Sequence, residues 1–139
     1  MSLREAITID YLNNGGSSVL PGQLGIEMLS LEEGKLTSRM KITHNHLAIN
    51  GYLHAASVIA LADTSCGNAA LAHIPDGAKG FTTIELKCNH IGTLREGTLG
   101  CTATAVHLGR TTQVWDAVVY DEKTKKNIAF FRCTQMVLW

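Results

Sequence analysis

Asp63 is the residue whose position in this sequence most strongly suggests chemistry. It interrupts an apolar run (residues 58–62, VIALA), where a carboxylate costs free energy unless it is paired or used. The same segment begins at Ala55, and N–H groups in the first turn of a helix have no intrahelical partner, so they can hold a developing negative charge. A base and an oxyanion donor are the two groups that attack on a carbonyl carbon requires.

The spacing of these two groups predicts how they can cooperate. Asp63 lies eight residues beyond Ala55, which is about 12 Å along a helix axis at about 1.5 Å per residue. One helix cannot bring both groups to one carbonyl, but two antiparallel helices in a dimer can. The sequence therefore predicts a site at a subunit interface. The alternative is a structural carboxylate satisfied locally by Thr64, Ser65 or Asn68.

The elements that position these groups follow from the hydrophobic pattern. Residues 54–73 are apolar almost all round, which predicts one long buried helix that ends at residues 75–77. Residues 1–13 have near-helical spacing and predict a short helix, stopped by Asn-Asn-Gly-Gly and followed by a loop over residues 17–22. Six runs have strand character, namely residues 24–31, 35–43, 80–90, 98–108, 111–120 and 127–138.

This order predicts an α+β fold: a hairpin, one buried helix, then a four-strand meander. A single apolar helix among six strands requires a curved antiparallel sheet that wraps round it. We expect a single domain over residues 1–139, with an N-terminal helix and loop (residues 1–23) and a core (residues 24–139). One sheet cannot cover both sides of such a helix, which again favours a second copy.

Composition excludes several classes of protein. The 139 residues are 45% apolar and 17% charged, which is typical of one globular domain. Twelve basic residues balance twelve acidic ones, so there is no bulk electrostatic reason to bind nucleic acid or an anionic membrane. No unbroken apolar run reaches a membrane-spanning length, and the first residues lack the apolar stretch of a signal peptide. We therefore expect a cytoplasmic protein.

The sequence predicts neither a metal nor a resident cofactor. Three histidines lie between residues 44 and 54, but no partner spacing supports a metal site. No glycine-rich nucleotide fingerprint is present. The cysteines form no C-x-x-C pair and are expected to be buried small hydrophobes in a reducing compartment; they are Cys66, Cys88, Cys101 and Cys133.

Two motifs carry a resemblance to a known family. The stretch GYLHAA (residues 51–56), followed by LADT (residues 61–64), resembles the hotdog-fold thioesterases, and among them the phenylacetate-degradation (PaaI-like) family. The family pattern is G-x-x-H-G-G with an acidic residue nine positions after the His, and His54 and Asp63 have that separation. The segments 81–86 and 107–111 also match in order and position. The resemblance spans roughly residues 24–138.

Two of the departures from the family pattern concern the expected site. Ala55 and Ala56 stand where the family has glycines, which adds a methyl group where substrate should approach closely. Ala48 stands where some relatives carry a polar Asn, a role that Asn45 or Asn50 could take.

The resemblance implies an acyl-CoA thioesterase that hydrolyses a small-to-medium or aryl acyl-CoA to free acid and CoA. Asp63 would be general base or nucleophile, the Ala55 N–H the oxyanion donor, and Thr83 a hydroxyl near the attacking water. His54 would orient the helix start or act as a base. The expected substrate contacts are Asn50, Ala56, Phe81, Thr82, Glu85, His107, Gly109, Arg110, Thr111 and Arg132. The implied assembly is a homodimer and a dimer of dimers, with CoA as part of the substrate.

Two other functions remain open on the same fold. One is a non-catalytic acyl-CoA-binding module, which the alanine replacements favour. The other is a hydratase or dehydratase, in which His54 would be paired with Asp63.

Overall fold

A computed structural model describes residues 3–139 and contains one long helix against one six-stranded sheet. The helices are α1 (Ile9–Gly16), α2 (Leu20–Gln23) and α3 (Ala55–His73), with a 3₁₀ turn at His44–His46. The strands are β1 (Ile26–Glu32), β2 (Lys35–Lys41), β3 (Gly80–His90), β4 (Thr98–Leu108), β5 (Thr112–Asp121) and β6 (Asn127–Leu138). The predicted α+β architecture is confirmed.

The strands follow the order β1-β2-β4-β5-β6-β3, and every neighbouring pair is antiparallel. The predicted four-strand meander is therefore wrong, because β3 pairs with β6 rather than with β4. Short turns join β4 to β5 and β5 to β6, whereas residues 91–97 form a longer connection that carries the chain to the other side of the meander. Hydrophobic pattern identifies strands but not which strand lies beside which.

α3 is the centre of the core. It packs on strands from across the sheet, and its buried face is rich in small residues that allow close approach: Ala62, Cys66, Ala69, Ala70 and Ala72. By length and mean hydropathy (1.2) this helix would qualify as a membrane span, but 56% of it is buried inside the fold. Core helices of soluble proteins meet the same two criteria, so this is weak evidence for a membrane.

The N-terminal helix differs from its prediction. It begins at Ile9, where the Thr8 hydroxyl accepts a hydrogen bond from the Tyr11 N–H (3.1 Å), and it runs through to Gly16. The predicted stop fails because the Asn13 amide bonds both backbone groups of Met28 on β1 (2.8 and 3.0 Å), which ties the helix to the sheet. Residues 1 and 2 of the predicted helix lie outside the described residues.

β3 forms one edge of the sheet and is exposed along most of its length. Ile84 is 53% exposed and Leu86 is 41% exposed. A β-bulge shifts its register with β6 between Thr83 and Glu85. A long edge strand that carries exposed apolar side chains is a template for pairing with another chain.

Candidate active site

The start of α3 presents one free backbone donor. His54 caps the helix, and its Nδ1 accepts the Ala56 N–H at 2.9 Å. The Ala55 N–H has no hydrogen-bond partner among the described residues. The Ala56 N–H is already bonded to His54 and is therefore not available as a second oxyanion donor.

The same contact defines the role of His54. Because Nδ1 accepts a hydrogen bond, the proton of the neutral ring is on Nε2. The imidazole therefore has no free basic nitrogen in this arrangement. His54 therefore caps and orients the helix start in this arrangement.

The loop before α3 is held by a histidine that sequence reasoning missed. His46 is only 2% exposed; its Nδ1 accepts the Thr43 N–H (2.9 Å) and its Nε2 donates to the Leu24 carbonyl (2.7 Å). Its own carbonyl accepts the His54 N–H (2.9 Å) and the Ser57 hydroxyl (2.9 Å). A histidine in a polar loop gives no sequence signal of burial, so this anchor was not predictable.

The tip of this loop, residues 48–52, lies directly before the first turn of α3. Asn50 accepts the Tyr52 N–H through Oδ1 (3.1 Å), and Gly51 has a φ of +83°, which shapes a tight turn. A surface depression lined by Ala48, Ile49, Asn50 and His54 opens beside it. Ala55, whose N–H is free among the described residues, directly follows His54, which lines this depression.

Asp63 lies two turns further along α3. Its Oδ1 is buried and has no hydrogen-bond partner, and burial raises the pKa of this carboxyl group above its ordinary value. None of the three local partners bonds to it in the part of the chain that the structure describes; Ser65, for example, donates to the Leu61 carbonyl (2.7 Å) and contacts Ser38 (2.6 Å). The local-satisfaction alternative therefore loses its support.

The beginning of β3 lies beside this part of α3. A Cβ built on Gly67, one turn beyond Asp63, would meet the Phe81 ring at 3.3 Å, so glycine allows the ring to pack against the helix. Thr83 is two residues further along β3, and its hydroxyl donates to the Gln135 Oε1 at 2.8 Å. Sequence reasoning missed Gln135, since a lone Gln in a strand has no distinguishing signal.

The other predicted contacts on β3 and β6 lie elsewhere. Thr82 is opposite Met136, and the bulge places Glu85 opposite Thr134. Arg132 is exposed and forms a two-bond ion pair with Asp116 (2.5 and 2.8 Å). Thr134, Met136 and Arg132 alternate with the buried residues of β6, so these positions face away from α3. The structure does not bring Thr82, Glu85 or Arg132 to Asp63.

The turn between β4 and β5 carries a fixed cation. The Arg110 guanidinium lies 4.3 Å from the centre of the Trp139 ring, and the Trp139 Nε1–H donates to the Arg110 carbonyl (3.3 Å). The Gly109 N–H closes the turn on the Thr112 carbonyl, and the Thr111 carbonyl accepts the Val137 N–H (2.9 Å each). His107 is exposed at the end of β4. The turn is therefore held against the end of β6, on the side where β3 begins.

An apolar cavity of about 310 Å³ lies between α1 and α3. Its α3 wall is Asn68 and Leu71, one to two turns beyond Asp63, and β1 contributes Ile26 and Met28. Its outer wall is formed by α1 and the residues that follow it.

A long apolar helix packed against an antiparallel sheet, with a half-buried carboxylate in that helix, indicates the class to which this protein belongs. The model of the thioesterase superfamily matches residues 50–128, and this chain belongs to that family, with the hotdog fold. The protein is a thioester hydrolase. The narrower phenylacetate-degradation branch stays a prediction.

Individual relatives agree with this assignment. The chain is 33% identical over 111 residues to 1,4-dihydroxy-2-naphthoyl-CoA hydrolase of Listeria monocytogenes, which covers 80% of this chain and 89% of that protein. It is 30% identical over 126 residues to the proofreading thioesterase EntH of Klebsiella pneumoniae, with 91% of each chain covered. The crystal structure of a mutant thioesterase from Pseudomonas aeruginosa superposes with a TM-score of 0.92 at 27% identity, over 99% of both chains.

Proposed function

We propose that this protein hydrolyses an acyl-CoA thioester, with Asp63 as the general base and the Ala55 N–H as the oxyanion donor. The observation that carries the proposal is the buried, unpartnered Asp63 Oδ1 in the middle of an apolar helix. A raised carboxyl pKa makes this group a better proton acceptor than an ordinary aspartate. The free N–H at the start of α3 supplies the second group that the reaction needs.

The reaction would proceed in two balanced steps. Water attacks the thioester carbonyl carbon, a C–O bond forms, and the water proton passes to Asp63. The resulting oxyanion is held by the Ala55 N–H. The intermediate then collapses with cleavage of the C–S bond, and the departing thiolate takes the proton from Asp63, which leaves a free acid and free CoA. No metal or further cofactor is needed for these steps.

We place the site between two copies of the chain. Within one α3, the Ala55 N–H and Asp63 are about 12 Å apart along the axis, so one chain cannot present both to one carbonyl. The exposed β3 edge, with Ile84 and Leu86, supports pairing with the β3 edge of a second copy. If this pairing brings the two α3 helices together in antiparallel orientation, Asp63 of one chain lies opposite Ala55 of the other. Further association of two dimers stays a prediction.

The substrate contacts divide between two regions. Arg110 is held against Trp139 and forms no ion pair among the described residues, so its guanidinium suits a CoA phosphate. The cavity between α1 and α3 suits a small-to-medium or aryl acyl group, because its volume of about 310 Å³ is at the lower end of ligand pockets. The name of the Listeria monocytogenes relative, a hydrolase of a naphthoyl-CoA, supports an aryl acyl group. The four free cysteines favour a reducing compartment, and we propose the cytoplasm.

A free-thiol release assay with aryl-, short- and medium-chain acyl-CoAs tests the proposal. Asp63→Asn keeps the shape of the side chain but removes the base, so kcat should fall about 10²- to 10⁴-fold. Asp76→Asn, which changes an exposed aspartate outside the site, is the matched control and should retain wild-type kcat. Near-wild-type turnover by Asp63→Asn would remove Asp63 from the mechanism.

A further inference from the structure

Gln135 places a polar side chain on the core face of β6. Its neighbours on that face, Cys133 and Val137, are buried, and Gln135 itself is 0% exposed. A buried amide costs free energy unless its polar atoms are hydrogen-bonded. A Leu or Met would fill the same space without that requirement, so packing alone does not explain an amide here.

The hydrogen bonds of the Gln135 amide are directional. Its Nε2 donates to the Cys133 Sγ (3.4 Å), and its Oε1 faces the Thr83 hydroxyl at 2.8 Å. A carbonyl oxygen can only accept, so the Thr83 hydroxyl must donate its single proton to Gln135. The lone pairs of the Thr83 Oγ1 then remain, and toward any other group this hydroxyl acts only as an acceptor.

This hydroxyl belongs to the side of the sheet that faces Asp63. Thr83 and Phe81 lie on the same face of β3, and the Phe81 ring packs on Gly67, one turn beyond Asp63. The Asp63 carboxylate is also close enough to the Cys133 thiol to act on it electrostatically. The Gln135–Thr83 pair therefore lies on the sheet face that packs against the part of α3 that carries Asp63.

We propose that Gln135 is a positioning residue that makes the Thr83 hydroxyl an obligatory acceptor for the attacking water. This inference rests on the proposed function. Thr83 accepts a hydrogen bond from one water hydrogen while Asp63 accepts the other, so a lone pair of the water oxygen is left for the carbonyl carbon. The hydrogen toward Asp63 is transferred in the attack. The hydrogen toward Thr83 stays on its oxygen and becomes the hydroxyl hydrogen of the acid product.

Steady-state kinetics of four variants test this role. Gln135→Met keeps the length of the side chain but removes the acceptor, and Thr83→Val removes the hydroxyl; each should lower kcat about 10- to 100-fold with KM unchanged. The double variant should lose no more than either single one, because both changes break the same chain of hydrogen bonds. Thr83→Ser, which retains the hydroxyl, should keep most of the wild-type kcat.

The outcomes separate this inference from the proposed function. Wild-type kcat in Gln135→Met, or additive losses in the double variant, would show that Gln135 does not set the direction of the Thr83 hydroxyl. If Gln135→Met does not fold, as judged by circular dichroism, Gln135→Leu, which also lacks the acceptor, supplies the test, because wild-type kcat there would contradict an acceptor role. A loss in Asp63→Asn alongside wild-type Thr83→Val overturns this inference alone, whereas an active Asp63→Asn overturns the proposed function.

Discussion

Ala55→Pro removes the proposed oxyanion donor with little disturbance of the helix that carries it. Ala55 is the first residue of α3, the position at which proline is best tolerated because its N–H has no intrahelical partner. A residue that precedes proline must be extended, and His54 already has φ −69° and ψ 134°. The substitution therefore deletes one N–H and leaves the His54 cap on Ala56 in place.

The expected loss of activity follows from the number of donors. Removal of one oxyanion donor typically lowers kcat about 10²- to 10³-fold, or about 2.7–4 kcal/mol. The neighbouring Ala56 N–H is bonded to His54 and cannot replace the lost group. We therefore expect Ala55→Pro to show the full effect. Ala55→Gly, which keeps the N–H, is the matched control and should retain near-wild-type kcat in the same free-thiol assay.

Mixed dimers extend the test to the proposed interface. We expect Ala55→Pro and Asp63→Asn chains each to be nearly inactive alone, but a mixed dimer would contain one site that takes an intact Ala55 from one chain and an intact Asp63 from the other. Random mixing should restore about a quarter of the wild-type rate, since half of the dimers are mixed and half of their sites are intact. Refolded mixtures that stay inactive would contradict a site shared between two chains. A kcat of Ala55→Pro within about threefold of that of Ala55→Gly would contradict the role of the Ala55 N–H as oxyanion donor.

Three further predictions concern stability and the cysteines. The buried His73 donates from Nδ1 to the Ala69 carbonyl and accepts the Gly34 N–H at Nε2, and burial lowers its pKa, so folding favours the neutral ring. The free energy of unfolding should therefore have its full value above about pH 6.5 and should fall by up to about 1.4 kcal/mol per pH unit below that pH. Urea titration should find this slope reduced in His73→Gln but unchanged in a variant of the exposed His44. Leu61→Ala, at a 0% exposed position, should cost about 2–5 kcal/mol in urea unfolding, whereas Ile49→Ala on the loop tip should be neutral. In a thiol titration of the native protein, only Cys88 should react, because the other three thiols are buried more deeply. Its reaction should be slow, because burial raises the pKa of the Cys88 thiol. Rapid reaction of all four thiols would contradict the burial of Cys66, Cys101 and Cys133 in the core.

Much of the fold could be predicted because its signals are local. The long helix at residues 54–73 and the strand bounds at residues 80–90, 98–108 and 127–138 follow from hydrophobic pattern and turn residues, and the structure has them almost unchanged. The helix at residues 1–13 was displaced, because the Asn13 amide bonds a strand rather than ending a helix. That contact joins residues 15 positions apart, which a local pattern does not contain.

The groups of the candidate site that could be located from the sequence are local in the same way. Asp63 and the free Ala55 N–H are positions on one helix, so an interrupted apolar run and a helix start are enough to find them. The bond of the Ala56 N–H to His54 is also local, but it depends on a ring orientation that only coordinates provide. Arg132 has the right charge, yet strand alternation turns it to the face opposite α3.

The sequence by itself therefore determined the helix, the six strands and the carboxylate within the helix, because each depends on periodicity and residue type along one stretch of chain. Only the tertiary structure decided the strand order, the burial of His46 and His73, and the pairing of Thr83 with Gln135. Thr83 and Gln135 are 52 positions apart and meet because β3 crosses to the free edge of β6. Such contacts arise from strand pairing between distant segments, and neither side chain carries a sign of its partner.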